Sequence, residues 1–265
     1  GGNISYTGES DVIVGDMDAS GANSASEGSI VVTSAMGSIT LNDTNTDGVA
    51  LITNGTGDIL IDAGALIEIN ADVVTETGNI AVIADASVTQ STDVVLTTQG
   101  GDIAINAGTT ITVETGGAAS SNGGDIVYTA ETDLIVGDVD ASGADSTTAE
   151  GSIVLNAVIG NLTVNDQNAD GIALITNGIG EISIDAGEAI QVNASVVTET
   201  GNITIAADQS IVQGADVAIT TQGGDIAINA GTAITVEIGG AASSNGGDIV
   251  YTAETDLIVG DVDAS

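Results

Sequence analysis

The sequence predicts an all-β fold, a parallel β-helix (β-solenoid) with about five coils in each repeat of 122–123 residues. Three observations carry that expectation. The chain repeats itself: Gly124-Asp125-Ile126-Val127-Tyr128-Thr129 returns as Gly247-Asp248-Ile249-Val250-Tyr251-Thr252 and opens the chain, in variant form, as Gly2-Asn3-Ile4-Ser5-Tyr6-Thr7. Within each repeat, short segments open with Gly, a small polar residue and then alternating apolar residues, the period-two pattern of a strand with one buried face. The composition is 42% hydrophobic with 37 glycines and no proline, and its apolar residues are mostly Ile, Val, Leu and Ala, which gives strands a core to bury.

Taken in order, the first unit covers residues 2–123, the second 124–246, and 247–265 begin a third. The coils of the first unit open at Gly2, Gly28, Gly57, Gly78 and Gly101, those of the second at Gly124, Gly151, Gly180, Gly201 and Gly224. Coil lengths run 26, 29, 21, 23 and 23 residues, then 27, 29, 21, 23 and 23, and the lone extra residue falls in the loop after Ser142. Each coil holds three short apolar runs, as in Ile103-Ala104-Ile105, Ile111-Thr112-Val113 and the small-residue return through Ala118 and Ala119. Gly, Asn, Asp and Ser between the runs are read as positive-φ corners. Nothing holds helical periodicity beyond one turn. Hairpin-linked strands of a sandwich would not give this register of Gly openings. Starting and stopping within a repeat, the sequence is expected to be a segment of a longer array. Stacked at about 4.8 Å per coil, it would make a rod about 50 Å long.

The run Gly101-Asp102-Ile103-Ala104-Ile105-Asn106-Ala107-Gly108, followed by Ile111-Thr112-Val113, resembles filamentous-haemagglutinin-type adhesins and giant bacterial β-strand-repeat surface proteins. The resemblance is one of pattern and covers the whole chain. It implies an extracellular, rod-like stalk or fibre at the cell surface and no catalytic residues.

Absences exclude several functions. There is no Lys, Arg or His against 38 acidic residues, so nothing neutralises phosphate and nucleic acid is not an expected partner. The same lack argues against anionic membrane surfaces, and no apolar stretch is long enough to insert. Without His or Cys there are no zinc sites of the usual kind, no thiol nucleophiles and no Ser-His-Asp triads. Two carboxylates alone can hydrolyse glycosides, but no singular loop interrupts the repetition, so the chain is not expected to be an enzyme.

Acidic loops are the candidates for chemistry. Asp16, Asp18, Ser20 and Gly21, with Glu27 at the twelfth position, approach the D-x-[DN]-x-[DN]-G-x5-E calcium loop. The second copy has Asp138, Asp140, Ser142 and Gly143, with Glu150 one place late. A further loop, Asp43, Asn45, Asp47 and Gly48, fits the first six positions and recurs as Asp166, Asn168, Asp170 and Gly171; Asn54 and Asn177 stand where the distal Glu would be. Alternate Asp and Asn oxygens bending around a Gly suit Ca2+, which takes six to eight oxygen ligands. The same residues also make plain turns at a β-helix corner.

Charge density points the same way. Thirty-eight negative charges on such a rod approach the linear density of duplex DNA, and every counterion must come from solvent. Acidic residues also fall on the same rung of neighbouring coils, as Asp102 and Asp125 do, which is destabilising unless they are hydrated or bridged. The three tyrosines are read as half-buried strand residues, and Thr runs such as Thr75-Glu76-Thr77 as an ordinary polar face. The expected function is a segment of an extracellular acidic fibre, stalk or sheath stabilised by divalent cations, whose partners are further copies of the repeat, in cis or end to end, with lateral packing. The alternative is an adhesin rod binding other cells or surfaces.

Overall fold

The computed structural model describes residues 2–21, 28–143 and 151–265. Among them it is all-β, a parallel β-solenoid of eleven coils. Each coil contributes one strand to each of three eleven-stranded parallel sheets, and every sheet takes every third strand in chain order. The architecture expected from the Gly register is the one formed, with one coil for each opening glycine.

The pairing is in register from end to end. The first residue of every first-sheet strand is Ile, and these align in a single column from Ile4 through Ile30, Ile59 and Ile126 to Ile249. Strands such as Ile59–Ala63 alternate buried and more exposed residues, so Ile59, Ile61 and Ala63 face the core while Asp62 faces solvent. The core is aliphatic along its length, because a stack with identical strands on every rung buries the same position each time. Polar residues enter it only where a backbone group needs them. Gln90 and Gln213 are both 1% exposed, and each donates through Nε2 to two carbonyls, those of Val94 and Ala118 or of Val217 and Ala241. Buried Thr and Ser at the last corner bond to the glycine that opens the next coil: Thr53 donates to Gly57 O at 2.6 Å and Thr198 to Gly201 O at 2.7 Å, whereas Thr98 and Thr221 accept from Gly101 N at 2.7 Å and Gly224 N at 3.0 Å.

Two expectations need refining. Gly, Asn and Asp between the runs do supply positive-φ corners, but among the described residues Ser does not, and the opening glycines are not among them. Their φ values are ordinary; what they need is space, since a Cβ on Gly78, Gly101, Gly124 or Gly201 would run into the carbonyl oxygen of the glycine opening the preceding coil. Left-handed backbone falls instead at other corner residues, such as Asn122 (φ 51°), Gly123 (φ 109°) and Asp93 (φ 60°). Half-burial holds for Tyr251 but not for Tyr128. Tyr128 shares the parity of Ile126 and Ala130, faces the core and is 1% exposed, and burial pushes its phenol well above the usual range. Tyr6 and Tyr251 occupy the same place in the outermost coils and are more open there.

Candidate metal centre

The two acidic loops that the sequence separates are one site in three dimensions. Asp16 leaves the first coil at the corner before strand Met17–Asp18, and the 43–48 loop leaves the second coil just after strand Ile39–Asn42. Stacking brings them together: Thr44 donates to the Asp16 carboxylate through its backbone N–H (3.1 Å) and through its hydroxyl. Gly15 permits the approach, because a Cβ there would collide with the Thr44 side chain. Asp16, Asp43 and Asp47 each place a carboxylate oxygen within 4.8 Å of the others. Oxygens on one Ca2+ ion lie at most about 5 Å apart, so three carboxylates at this spacing can share one cation.

The loop is held by its own side chains. Asp43 accepts from Thr46 N (2.6 Å), Gly48 N (2.7 Å) and Asn45 N (3.0 Å). Asp47 accepts from Val49 N (2.9 Å) and from Asn45 Nδ2 (3.0 Å). Desolvation acts to raise the Asp43 carboxyl, but the loop N–H groups, Gly48 and Thr46 foremost, outweigh it and hold it below the ordinary value. Thr46 sits at φ 70°, a costly conformation for a β-branched residue, and Gly48 at φ 92°. Directly after the loop, strand Val49–Ile52 carries a bulge at which Ala50 and Leu51 are both buried. The bulge absorbs one extra residue where the loop rejoins the sheet. The result is a depression of about 210 Å³ lined by Asp16, Asp18, Asn45 and Asp47 at the rim, with Val49 and Ile52 among its apolar walls.

The second unit rebuilds the loop and the depression but not the cluster: among the described residues three carboxylates converge within 4.8 Å only at Asp16, Asp43 and Asp47. Asp138, Asp140, Asn168 and Asp170 line a depression of about 200 Å³, beside the equivalent bulge between Ile172 and Leu174. Asp166 accepts from Ala169 N (2.6 Å) and Gly171 N (2.7 Å), with Ala169 at φ 65° in place of Thr46. The difference is at Thr44, replaced by Gln167, whose backbone N–H reaches Asp138 Oδ1 at only 3.4 Å. Asp138 Oδ2 is buried with no hydrogen-bond partner, as is the Ser142 hydroxyl. Burial pushes the Asp138 carboxyl up, the weak bond from Gln167 opposes that, and the charges of Asp166 and Asp170 add to it.

The remaining candidates divide as follows. Asp18 and Asp140 reach the rim, but each also caps its own turn, accepting from Ser20 N and Ser142 N at 2.8 Å. Asn54 and Asn177, which stand where a distal Glu was sought, are clamps: the Asn54 amide accepts from Gly21 N (2.8 Å) and donates to Gly21 O (2.9 Å), and Asn177 does the same to Gly143. Glu27 and Glu150 lie outside the described residues. The signal that would have joined Asp16 to the 43–48 loop is coil length: the second and seventh coils are the longest, at 29 residues, and their excess is this loop.

Acidic residues on successive rungs also gain a partner. At the position before the first-sheet strands, the side-chain oxygen of one coil accepts from the backbone N–H of the same position in the next, except at Glu181, which accepts from Asn202 Nδ2 instead. Asn79 Oδ1 takes Asp102 N (2.8 Å), Asp102 Oδ1 takes Asp125 N (2.9 Å) and Asp125 Oδ1 takes Ser152 N (2.8 Å). Asp102 and Asp125 are like charges on adjacent rungs, and each carboxylate is offset by a charge-assisted hydrogen bond.

No protein-family model, curated protein or solved structure matches this chain.

Proposed function

We propose that the chain is a structural segment of a long extracellular β-solenoid, working as a fibre, stalk or sheath, with divalent cations, Ca2+ foremost, bound at one composite site per unit. The observation that carries the reading is the junction between units. Strand Ile103–Ala107 pairs with Ile126–Ala130 in the same register as any two coils inside a unit, and so does Ile226–Ala230 with Ile249–Ala253. Units joined this way add length without a seam, which suits repetition for reach rather than for a separate binding face. The pattern resemblance to filamentous-haemagglutinin-like surface proteins supports the extracellular placement. Partners on this reading are further copies of the same repeat.

The cation role rests on the donor set. Asp16, Asp43 and Asp47 offer only oxygen, converge from two coils, and belong to a chain with no cationic side chain to neutralise them. A bound ion would tie the first coil to the second; in the second unit, where Asp138, Asp166 and Asp170 do not converge to the same spacing, an ion would have to draw them together to tie the sixth coil to the seventh. Two experiments test the reading. Antibody against the chain should label the outside of intact cells that make it, and label confined to the interior would overturn the surface assignment. Calcium titration by calorimetry should find two sites per chain, one fewer in Asp16→Asn; heat that is unchanged by that substitution would remove the composite site.

A further inference from the structure

We propose that successive units are keyed to each other by a large–small pair, Tyr128 against Ala119, so that the first coil of a unit stacks in one order only on the fifth coil of the unit before it. Backbone pairing cannot make that choice. Every rung offers the same three parallel strands and the same leading isoleucine, so a slip by one whole coil would keep both the ladder and the Ile column. Only residues that do not recur on every rung can tell coils apart.

Two such residues fall on neighbouring coils. In the inward column of the third sheet, Leu96 precedes Ala119 and Val139 follows it, and alanine recurs in that column only at Ala242. In the middle inward column of the first sheet, Ile105 precedes Tyr128 and Leu155 follows it, and the aromatic recurs at Tyr251 and, in the first coil, at Tyr6. Each alanine therefore lies one coil before a tyrosine, at both junctions. Tyr128 and Ala119 are each 1% exposed, inside a tube whose walls are fixed by in-register pairing. A close-packed interior has no spare room for a ring where its neighbours carry aliphatic side chains, so the added volume must be matched by a loss nearby. Alanine on the adjacent rung of a facing sheet supplies that loss. The inference deepens the fibre reading by naming what sets the order of units, but its test reads a junction inside this chain and stands apart from cation binding and location.

The test is a double-variant cycle in the full chain, read as the urea midpoint by circular dichroism and as amide exchange in strand Ile126–Ala130. Ala119→Leu and Tyr128→Leu should each lower the midpoint and raise exchange. Combined, the added leucine fills the room the ring has left, so the double variant should unfold at a higher midpoint than Ala119→Leu alone. Val73→Leu makes the control: it adds bulk to the same column far from any fully buried tyrosine, and its loss should simply add to that of Tyr128→Leu. If Ala119→Leu does not fold, Ala119→Val runs the same cycle with a smaller intrusion. Additive losses for residues 119 and 128, or equal rescue of Val73→Leu, would overturn the key.

Discussion

Glycine at the head of each coil is a residue chosen for what it lacks. A methyl group on Gly124 would drive into the carbonyl oxygen of Gly101, a backbone atom that cannot move without breaking the ladder. Gly48 is needed for another reason: its φ is 92° and a Cβ there meets nothing within 4 Å. Gly124→Ala should therefore cost about 3 kcal/mol, an overpacking penalty, while Gly48→Ala costs about 1 kcal/mol of backbone strain. Urea denaturation of both variants checks the order, and equal losses would contradict this account of the column. Asp138 makes a second contrast. Its carboxyl is pushed up by burial and by Asp166 and Asp170, so the folded state binds that proton more readily than the unfolded one. Without calcium, its contribution to stability rises as pH falls through its folded pKa toward 3.8. Asp138→Asn should accordingly be neutral or stabilising in chelator near pH 7 and lose the calcium response of its own site; a destabilised, calcium-responsive variant would contradict that assignment.

At the scale of elements, the coil is held by devices that run along the stack. The Asx ladder is the clearest, since each oxygen satisfies an N–H one rung away. Asp102→Ala removes the acceptor for Asp125 N and should cost about 1–3 kcal/mol, while Asp102→Asn keeps the acceptor and most of the stability. Thermal unfolding of the pair decides it, and equal losses would mean that charge, not the acceptor, matters. This ladder was half legible. The recurrence of acids at one rung position was visible in Asp102 and Asp125, but it reads as repulsion until the N–H on the next coil is known. Strands, coil openings and the five coils of each repeat were legible because each signal is local and recurs at every turn. The burial of Tyr128 was missed, although its parity with Ile126 was there to be read: half-burial was the expectation for all three tyrosines. The composite site was not legible as one site. A motif template assumes that ligands follow one another around a single loop, whereas Thr44 reaches an Asp16 that lies 28 residues back in another coil. The roles of Asn54 and Asn177 were hidden for the same reason, since the backbone they clamp lies 33 and 34 residues away.

Across the whole molecule, a seamless aliphatic core is set against a surface with 38 acids and no bases. The core and three continuous sheets favour the fold; self-repulsion opposes it and grows as carboxylates ionise. Asp72 and Asp138 are raised by burial and so add stability as pH falls through their folded values toward 3.8. Asp43 is lowered, so what it contributes is present above 3.8 and lost as pH falls through its folded value. In chelator the protein should thus be more stable a little above pH 4 than at pH 7, and a monotonic fall in melting temperature from pH 7 to pH 4 would contradict this balance. Calcium should erase much of that difference by acting at pH 7, where the carboxylates of the composite sites are free to bind it. The central claim is that specific divalent binding, rather than screening alone, stabilises the acidic solenoid. It is tested most directly by thermal unfolding at pH 7 and low salt, followed by circular dichroism, with calcium and then with chelator. The account predicts a large drop in melting temperature on chelation that sodium chloride does not restore and that is smaller in the Asp16→Asn, Asp138→Asn double variant. Full recovery with sodium alone, or no change on chelation, would contradict it.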